Sequence, residues 1–457
     1  MNSNNITTTT TTLQSSSLID SNIISINHDD YSTTTTTTSK QDCYYNNVKW
    51  SPDGCCLLSS RENKSVQLFE LTQEESKLKL IKNIQYHDIV YDMSWYPHMN
   101  SGNPETCYFA VSGKHQSIGL YDAFVGNKLC GYTPWTDVDD IESAISIDFN
   151  NNADKLYSLC DKSIKIFKVS RPGNKFETIR TYDRKANEGI PGRPSQIAFD
   201  RSNVSGFYAV STFDGYIGLF DQSNDTMVDI LPQPTNFTKP RGITQLSFSK
   251  DGYYLFAGYR KSNYIIGWDI RNTEAQQIFS FERLGDTNQR LHFDLDPTGK
   301  YLSTGSQNGL LHLFPLSTTN NNNNDNHNDM EIDKLSTLPS STTIQDNNNE
   351  TTMKNDDEIQ EPKPENDNNT INQNDQPIIL DSPLLLPISI QVSNQCINSV
   401  RFNPLHPTLM ALTFGERNFD LPNEEDEEEE EKEEVQQKVK EESFKNSIII
   451  INPFKKL

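Results

Sequence analysis

No apolar run in this sequence approaches the ~18 residues that a membrane-spanning helix needs, and the N-terminus shows no charged start followed by an apolar stretch. A soluble intracellular chain without signal peptide or membrane span is expected. Cysteine is scarce. Its seven copies, an odd number, form no C-x-x-C pair and no Cys/His ligand spacing. Adjacent Cys55 and Cys56 read as buried thiols on opposite faces of a strand, in a reducing compartment. Catalytic signatures are missing too: no Gly-rich phosphate loop leads into Lys, and there is no G-x-S-x-G and no H-x-x-x-H pair. No enzyme, metal or cofactor is expected.

Low-complexity segments interrupt the rest. Residues 1–39 are rich in Thr, Ser and Asn and cannot bury enough apolar surface to offset chain entropy, so a disordered tail is expected. Residues 317–378 form an Asn, Thr, Asp and Glu tract read as a disordered insert. An acidic loop over 420–443 contains "EEDEEEEEKEE", where like charges hold the chain extended. These segments carry most of the formal charge of −23. Residues 40–316 hold 29 basic and 32 acidic side chains, whereas 317–457 hold 11 and 28. The part expected to fold is therefore close to neutral, with room for local patches of either sign.

That part is repetitive. "VKWSPDGCCLLSSRENKSVQLFE" returns in diverged form six more times, with Trp50, Trp95, Phe149, Phe199, Phe248, Leu295 and Phe402 at one repeat position. Successive copies are 45 to 54 residues apart, except for a last interval of 107 that holds the Asn-rich insert. Each unit alternates apolar and polar, turns at a Pro-Asp-Gly-like step, and turns again at Asp161, Asp214 or Asn308. Trp268-Asp269 preserves the full WD dipeptide, with Tyr121-Asp122 and Phe220-Asp221 as variants. Four strands per unit predict an all-β, seven-bladed WD40 β-propeller: blades 1–6 in 40–316 and blade 7 in 379–457. A ring needs its first and last strands joined, and 18–31 is the one β-prone stretch upstream of blade 1, so it is expected to supply the closing strand. Trp50, Trp95, Asp214, Trp268, Asp269 and Gly299 are read as structural.

Few residues suggest chemistry. His87, ahead of Asp88 at a blade start, is read as bonding a Ser or Thr of its own blade. "TDVDD", with Asp137, Asp139 and Asp140, lacks a calcium-loop pattern and reads as solvated loop. Basic residues recur between strands: Arg171 and Lys175, Arg184, Lys185 and Arg193, Lys239 and Arg241, Arg260 and Lys261, then Asn288, Gln289 and Arg290. Loops on one rim converge at the channel mouth, where Arg suits phosphates and Asn or Gln suits base edges of single-stranded RNA. Composition alone leaves solubilising charge as the competing reading.

At these residues the chain resembles the telomerase Cajal body protein family. The similarity rests on "WSPDG" with "LLSS", "VYDMSWYPHM" followed by "TCYFAVSGKHQSIGLYDAFVGN", "SRPG", "GYRKSN" with "IIGWDIRN", "TNQRLHFDLDPTGKYLSTGS", and "GERNF" before an acidic run. The resemblance implies a non-catalytic, monomeric scaffold in the nucleus, in Cajal bodies, with some cytoplasmic pool. It implies binding to small box H/ACA-type Cajal-body RNAs, including telomerase RNA, with H/ACA ribonucleoprotein proteins and telomerase reverse transcriptase as partners and a role in telomere maintenance. Candidate RNA contacts are Arg171, Arg193, Arg241, Arg260, Lys261, Asn288, Gln289 and Arg290. The other class of reading is a peptide-binding propeller adaptor, for example in ubiquitin-ligase or chaperone assemblies.

Overall fold

The computed structural model describes residues 24–26 by their backbone, and 44–72, 78–316, 387–415 and 447–454 in full. Most of the 1–39 tail, the 317–378 insert and the 420–443 acidic loop lie outside the described residues. Seven four-stranded antiparallel sheets form a closed ring of blades, the WD40 propeller expected from the repeat. The first strand of each unit is innermost: Tyr45–Trp50, Val90–Trp95, Ser146–Phe149, Pro194–Phe199, Ile243–Phe248, Phe293–Leu295 and Ile397–Phe402. In blade 5 the others follow outward as Tyr254–Tyr259, Tyr264–Asp269 and Phe279–Glu282.

The repeat position that defines the units marks where each blade packs on the next. Trp50 Nε1 donates to the Arg401 carbonyl of blade 7 at 3.1 Å, and Trp95 Nε1 to the Lys49 carbonyl of blade 1 at 3.0 Å. Each indole is buried and still finds an acceptor, as a buried donor must. Trp268 is 1% exposed, bonds the Pro232 carbonyl at 3.2 Å, and sits in the apolar cluster joining blades 4 and 5.

The repeated turns share one chemistry. Ser51 Oγ accepts from Cys56 N at 2.9 Å, Ser249 Oγ from Tyr254 N at 2.9 Å, and Asp296 Oδ1 from Tyr301 N at 2.8 Å, so a short polar side chain fastens the turn from first to second strand. The turn then needs a left-handed residue, met by Gly54, Gly252 and Gly299 at φ +67°, +73° and +72°. The aspartate closing the third strand fastens the next turn: Asp122 Oδ1 accepts from Phe124 N at 2.7 Å, Asp221 from Ser223 N at 2.7 Å, and Asp269 from Arg271 N at 3.0 Å. Asp214 departs from this. It is exposed, and its carboxylate has no hydrogen bond among the described residues, whereas Asn308 accepts from Ser306 Oγ at 2.5 Å.

Histidine bonding also moves. His87 is exposed and its ring makes no hydrogen bond among the described residues. The His–Ser bond expected there occurs in blade 6, between His312 Nδ1 and Ser389 Oγ at 2.8 Å. His87 lies on the short connection between blades 1 and 2, where solvent outcompetes any blade hydroxyl. None of the described cysteines forms a disulfide. Cys107, Cys160 and Cys396 are buried, while Cys55, in a turn, and Cys56, opening a strand, are half-buried.

Ring closure comes from the two ends of the chain. Ile24–Ile26 pairs antiparallel with Ile448–Ile451, Ile24 opposite Ile450, as the outermost strand of blade 7. Deleting residues 1–35 removes this strand and leaves Ile448–Ile451 as an unpaired edge. The expected result is a melting temperature lower by on the order of 5 °C or more, and an unchanged transition would refute the closure.

Gly299 generates a second prediction. An added Cβ there meets only Lys250 Cβ, at 3.8 Å, so backbone strain and not collision sets the cost of substitution. Gly299→Arg should destabilise by about 1–3 kcal/mol and reduce folded yield. Equal chemical-denaturation midpoints for the variant and the parent protein would contradict this.

A third concerns pH. Burial, assisted by the nearby Arg283 charge, pushes His312 down to about 4. Its folded value lies below its unfolded one, so its contribution is complete above about pH 6.5 and is lost as pH falls toward 4, by up to about 3 kcal/mol. Melting temperatures of the parent should therefore fall more steeply over this window than those of His312→Asn. Parallel profiles would show that His312 does not stay neutral in the folded state.

Candidate nucleic-acid interface

Antiparallel alternation sorts the loops onto two faces. Connections from second to third strand, and from fourth strand to the next blade, emerge at one end of the ring; the remaining two kinds emerge at the other. Arg193, Arg241, Arg260, Lys261, Asn288, Gln289 and Arg290 all fall on the first face. Arg171 does not. It joins the third strand of blade 3, Ser163–Lys168, to the fourth, Phe176–Arg180, and so lies on the opposite face with Lys175 and Gly299. The candidate set is thus divided, because sequence spacing counts loops without showing which end of a strand they leave.

The residues on the first face form a chain of contacts across blades 3 to 7. Arg193 Nε lies 3.0 Å from Asp161 Oδ1, and the Arg193 carbonyl accepts from Phe213 N at 2.8 Å. Arg241 donates to the Lys261 carbonyl and lies over the Phe237 ring at 5.7 Å. Arg260 N donates to the Gly242 carbonyl at 2.8 Å, and Arg260 Nη2 to Asn288 Oδ1 at 3.3 Å. Gln289 Nε2 reaches the Gly415 carbonyl at 3.1 Å and Asn398 Oδ1 at 3.4 Å, bridging to blade 7.

These contacts separate occupied from available groups. Arg193 is neutralised by Asp161, and the Gln289 amide is spent on scaffold bonds. Arg260 meets only a neutral amide. Lys261 and Arg290 have no side-chain hydrogen bond or ion pair among the described residues. Lys261 also holds φ +49°, as His115 does at φ +48° in the corresponding turn of blade 2. A lysine tolerated in a left-handed conformation beside an arginine with no carboxylate partner marks this corner as positively charged and strained.

Beneath it runs the central channel, a cavity of about 1150 Å³ lined by the innermost strands. In four of the seven blades the residue preceding the repeat-defining position is charged, Lys49, Asp148, Asp294 and Arg401, where strand alternation turns the side chain toward the axis. Lys49 Nζ lies 2.9 Å from Asp92 Oδ1, Arg201 Nη2 2.6 Å from Asp148 Oδ1, and Arg401 Nη1 3.8 Å from Asp294 Oδ1. Asp92 is saturated, accepting also from Met93 N at 2.8 Å, Ser146 Oγ at 2.8 Å and Ile147 N at 3.1 Å. Arg290 enters this channel at the mouth. Burial, and then the like charge of Arg260, hold its guanidinium below the usual arginine range, with Asp92 opposing. Burial likewise keeps His292 neutral, well below the usual histidine value, with Arg401 and Arg290 adding to the effect. Sequence reading confined to loops missed Lys49, Asp92, Asp148, Arg201, Asp294 and Arg401. Lys49, Asp148, Asp294 and Arg401 were discoverable as charges one place before Trp50, Phe149, Leu295 and Phe402.

Among the described residues, no group of three or more His, Cys, Asp or Glu side chains is placed to hold a metal ion, and no helix is long and apolar enough to cross a membrane. "TDVDD" forms a turn fastened by Thr136 Oγ1, which accepts from Val138 N at 3.3 Å and Asp140 N at 3.1 Å.

No protein-family model matches the chain. It is 29% identical over 280 residues to Telomerase Cajal body protein 1 of Homo sapiens, an alignment covering 59% of this chain and 49% of that protein. With the Telomerase Cajal body protein 1 homolog of Drosophila melanogaster it shares 31% identity over 288 residues, 60% of this chain and 51% of the relative. Guanine nucleotide-binding protein negative regulator 1 of Schizosaccharomyces pombe is 25% identical over 286 residues, 58% of this chain and 69% of that protein. The chain spans about half the length of the Telomerase Cajal body protein 1 relatives it matches. The resemblance legible in its motifs is borne out: this WD-repeat propeller is similar to proteins named Telomerase Cajal body protein 1 across mammals and Drosophila.

Proposed function

We propose that this protein is a non-catalytic scaffold that binds small Cajal-body RNAs of the H/ACA type, telomerase RNA among them, through the face carrying Arg241, Arg260, Lys261, Asn288 and Arg290. One observation carries the reading: Arg260, Lys261 and Arg290 meet on one rim with no carboxylate partner among the described residues, above a channel where Lys49, Asp92, Asp148, Arg201, Asp294 and Arg401 are paired. The relatives' names mention telomerase and the Cajal body, and the reading extends this to a nuclear, Cajal-body setting with H/ACA ribonucleoprotein proteins and telomerase reverse transcriptase as partners of a monomeric propeller supporting telomere maintenance. Such a rim suits single-stranded loops, because guanidinium groups hold phosphates and stack on bases while the Asn288 amide reaches a base edge. A second reading, a protein-binding adaptor without RNA, is favoured by the similarity to the Schizosaccharomyces pombe regulator, of which the chain covers the larger share.

Crosslinking followed by RNA sequencing decides between them: enrichment of H/ACA-type RNAs supports the first, and protein partners without RNA support the second. With a bound RNA in hand, log affinity should fall with log salt by about 0.7 for each phosphate contacted. Arg260→Gln and Arg290→Ala should each weaken binding by about 1–3 kcal/mol with the melting temperature nearly unchanged. Lys261→Gly should weaken binding while raising stability by roughly 1 kcal/mol, since glycine relieves the left-handed strain. Arg171→Gln, on the opposite face, should leave affinity at the parental value. A flat salt dependence, or Arg171 mattering as much as Arg260, would place the RNA elsewhere.

A further inference from the structure

We infer that the mouth of the central channel is a binding site for a phosphate group, seated between Arg290 and Arg260. Three acids of the channel are already committed, and the fourth, Asp286, is exposed at the mouth and forms no ion pair with Arg260 or Arg290. Asp92 accepts four hydrogen bonds from blades 1, 2 and 3, leaving no lone pair directed at Arg290. Asp148 is held by Ser94 Oγ at 2.9 Å and by Arg201. Asp294 accepts from Phe402 N at 2.8 Å and faces Arg401. Arg290 is therefore a half-buried guanidinium beside a second cation, with none of its five N–H groups bonded among the described residues. Taking a cation out of water without a counter-ion is costly, and a mobile dianion supplies that counter-ion while accepting the fork bidentately. Burial disfavours the charged form of Arg290, the Asp92 carboxylate offsets this in part, and the like charge of Arg260 adds to the cost, which a bound anion screens.

The cavity accommodates more than an ion. Its volume of about 1150 Å³ is that of a small-molecule site, and the Tyr91 ring and the Gln245 and Asn288 amides line it beside the two arginines. A nucleotide-sized phosphate ester suits these walls. The phosphate can come from a free phosphorylated metabolite or from one nucleotide of an RNA crossing the rim. The inference rests on the RNA reading only for the second source.

Titration of the full-length protein with adenosine 5′-monophosphate and with adenosine, at low ionic strength, tests the site. The monophosphate should bind and adenosine should bind at least tenfold more weakly. Arg290→Gln should reduce monophosphate affinity at least tenfold, and Arg290→Lys should restore part of it. Melting temperatures without ligand should match, because Arg290 has no bond to lose. Equal monophosphate binding by the parent and Arg290→Gln, or adenosine binding as tightly as its phosphate, overturns the site. If single-stranded oligouridylate displaces the monophosphate, the phosphate source is RNA. If it binds without displacing it, the source is a free ester. Salt-sensitive RNA binding that depends on Lys261, with no monophosphate binding, removes this site and leaves the RNA reading intact. Monophosphate binding without any RNA binding does the reverse.

Discussion

Everything in this ring hangs on the pairing of Ile24–Ile26 with Ile448–Ile451, which joins segments from the two ends of the chain in one sheet. Ile448 to Ile451 are buried, Ile448 and Ile450 in the core shared by blades 7 and 1 and Ile449 and Ile451 in the core shared by blades 6 and 7. Without a partner on its outer side, that strand would present a row of open N–H and C=O groups to solvent. With closure in place, each innermost strand has a fixed neighbour, and the inter-blade bonds become available. Trp50 reaches Arg401, Asn398 Nδ2 reaches the Tyr45 carbonyl at 3.2 Å, and Gln245 grips both backbone groups of Phe293, at 2.7 and 2.9 Å. The first two join residues 351 and 353 apart in sequence, so they form only after nearly the whole chain's loop-closure entropy has been met.

The same closure decides the electrostatics. A seven-fold ring places one position per blade around a common axis, and Lys49, Asp148, Asp294 and Arg401 occupy it here. Most of the charges there neutralise one another across blade junctions, and they act as fasteners. Arg283 is of the same kind: 3% exposed, it donates to the Leu291 carbonyl at 2.9 Å and to Thr304, and burial pushes it down to about 10. Arg290 is built otherwise. It comes from the connection entering blade 6, shares its surroundings with Arg260, and forms no ion pair with any acid among the described residues. The difference between fastener and recognition group therefore lies in the partners, not in the residue type.

Partition of the loops between two faces gives the chain distinct surfaces. The 317–378 segment follows Leu310–Pro315 in sequence and the acidic segment follows Met410–Phe414, and both lie outside the described residues. The −23 charge averages over these segments and is a poor guide to the rim bearing Arg241, Arg260, Lys261 and Arg290. The "GYRKSN" and "TNQR" motifs meet on that rim through the Arg260–Asn288 bond.

By itself the sequence determined the number of blades, the turn chemistry and the class of fold. Those features follow from local rules: alternation that buries one face, short polar side chains that fasten turns, and glycine where φ is positive. The aromatic series from Trp50 to Phe402 and the turn glycines Gly54, Gly252 and Gly299 were readable for that reason. Tertiary structure alone decided which polar groups are free. Arg171 and Arg193 look alike in sequence but leave opposite ends of their strands. Gln289 and Asn288 are neighbours, yet one is spent on Gly415 and Asn398 while the other faces the rim. His312, not His87, found the serine. Whether a polar atom is satisfied depends on what the closed ring brings within 3 Å of it, and that distance is set by residues scattered along the whole chain.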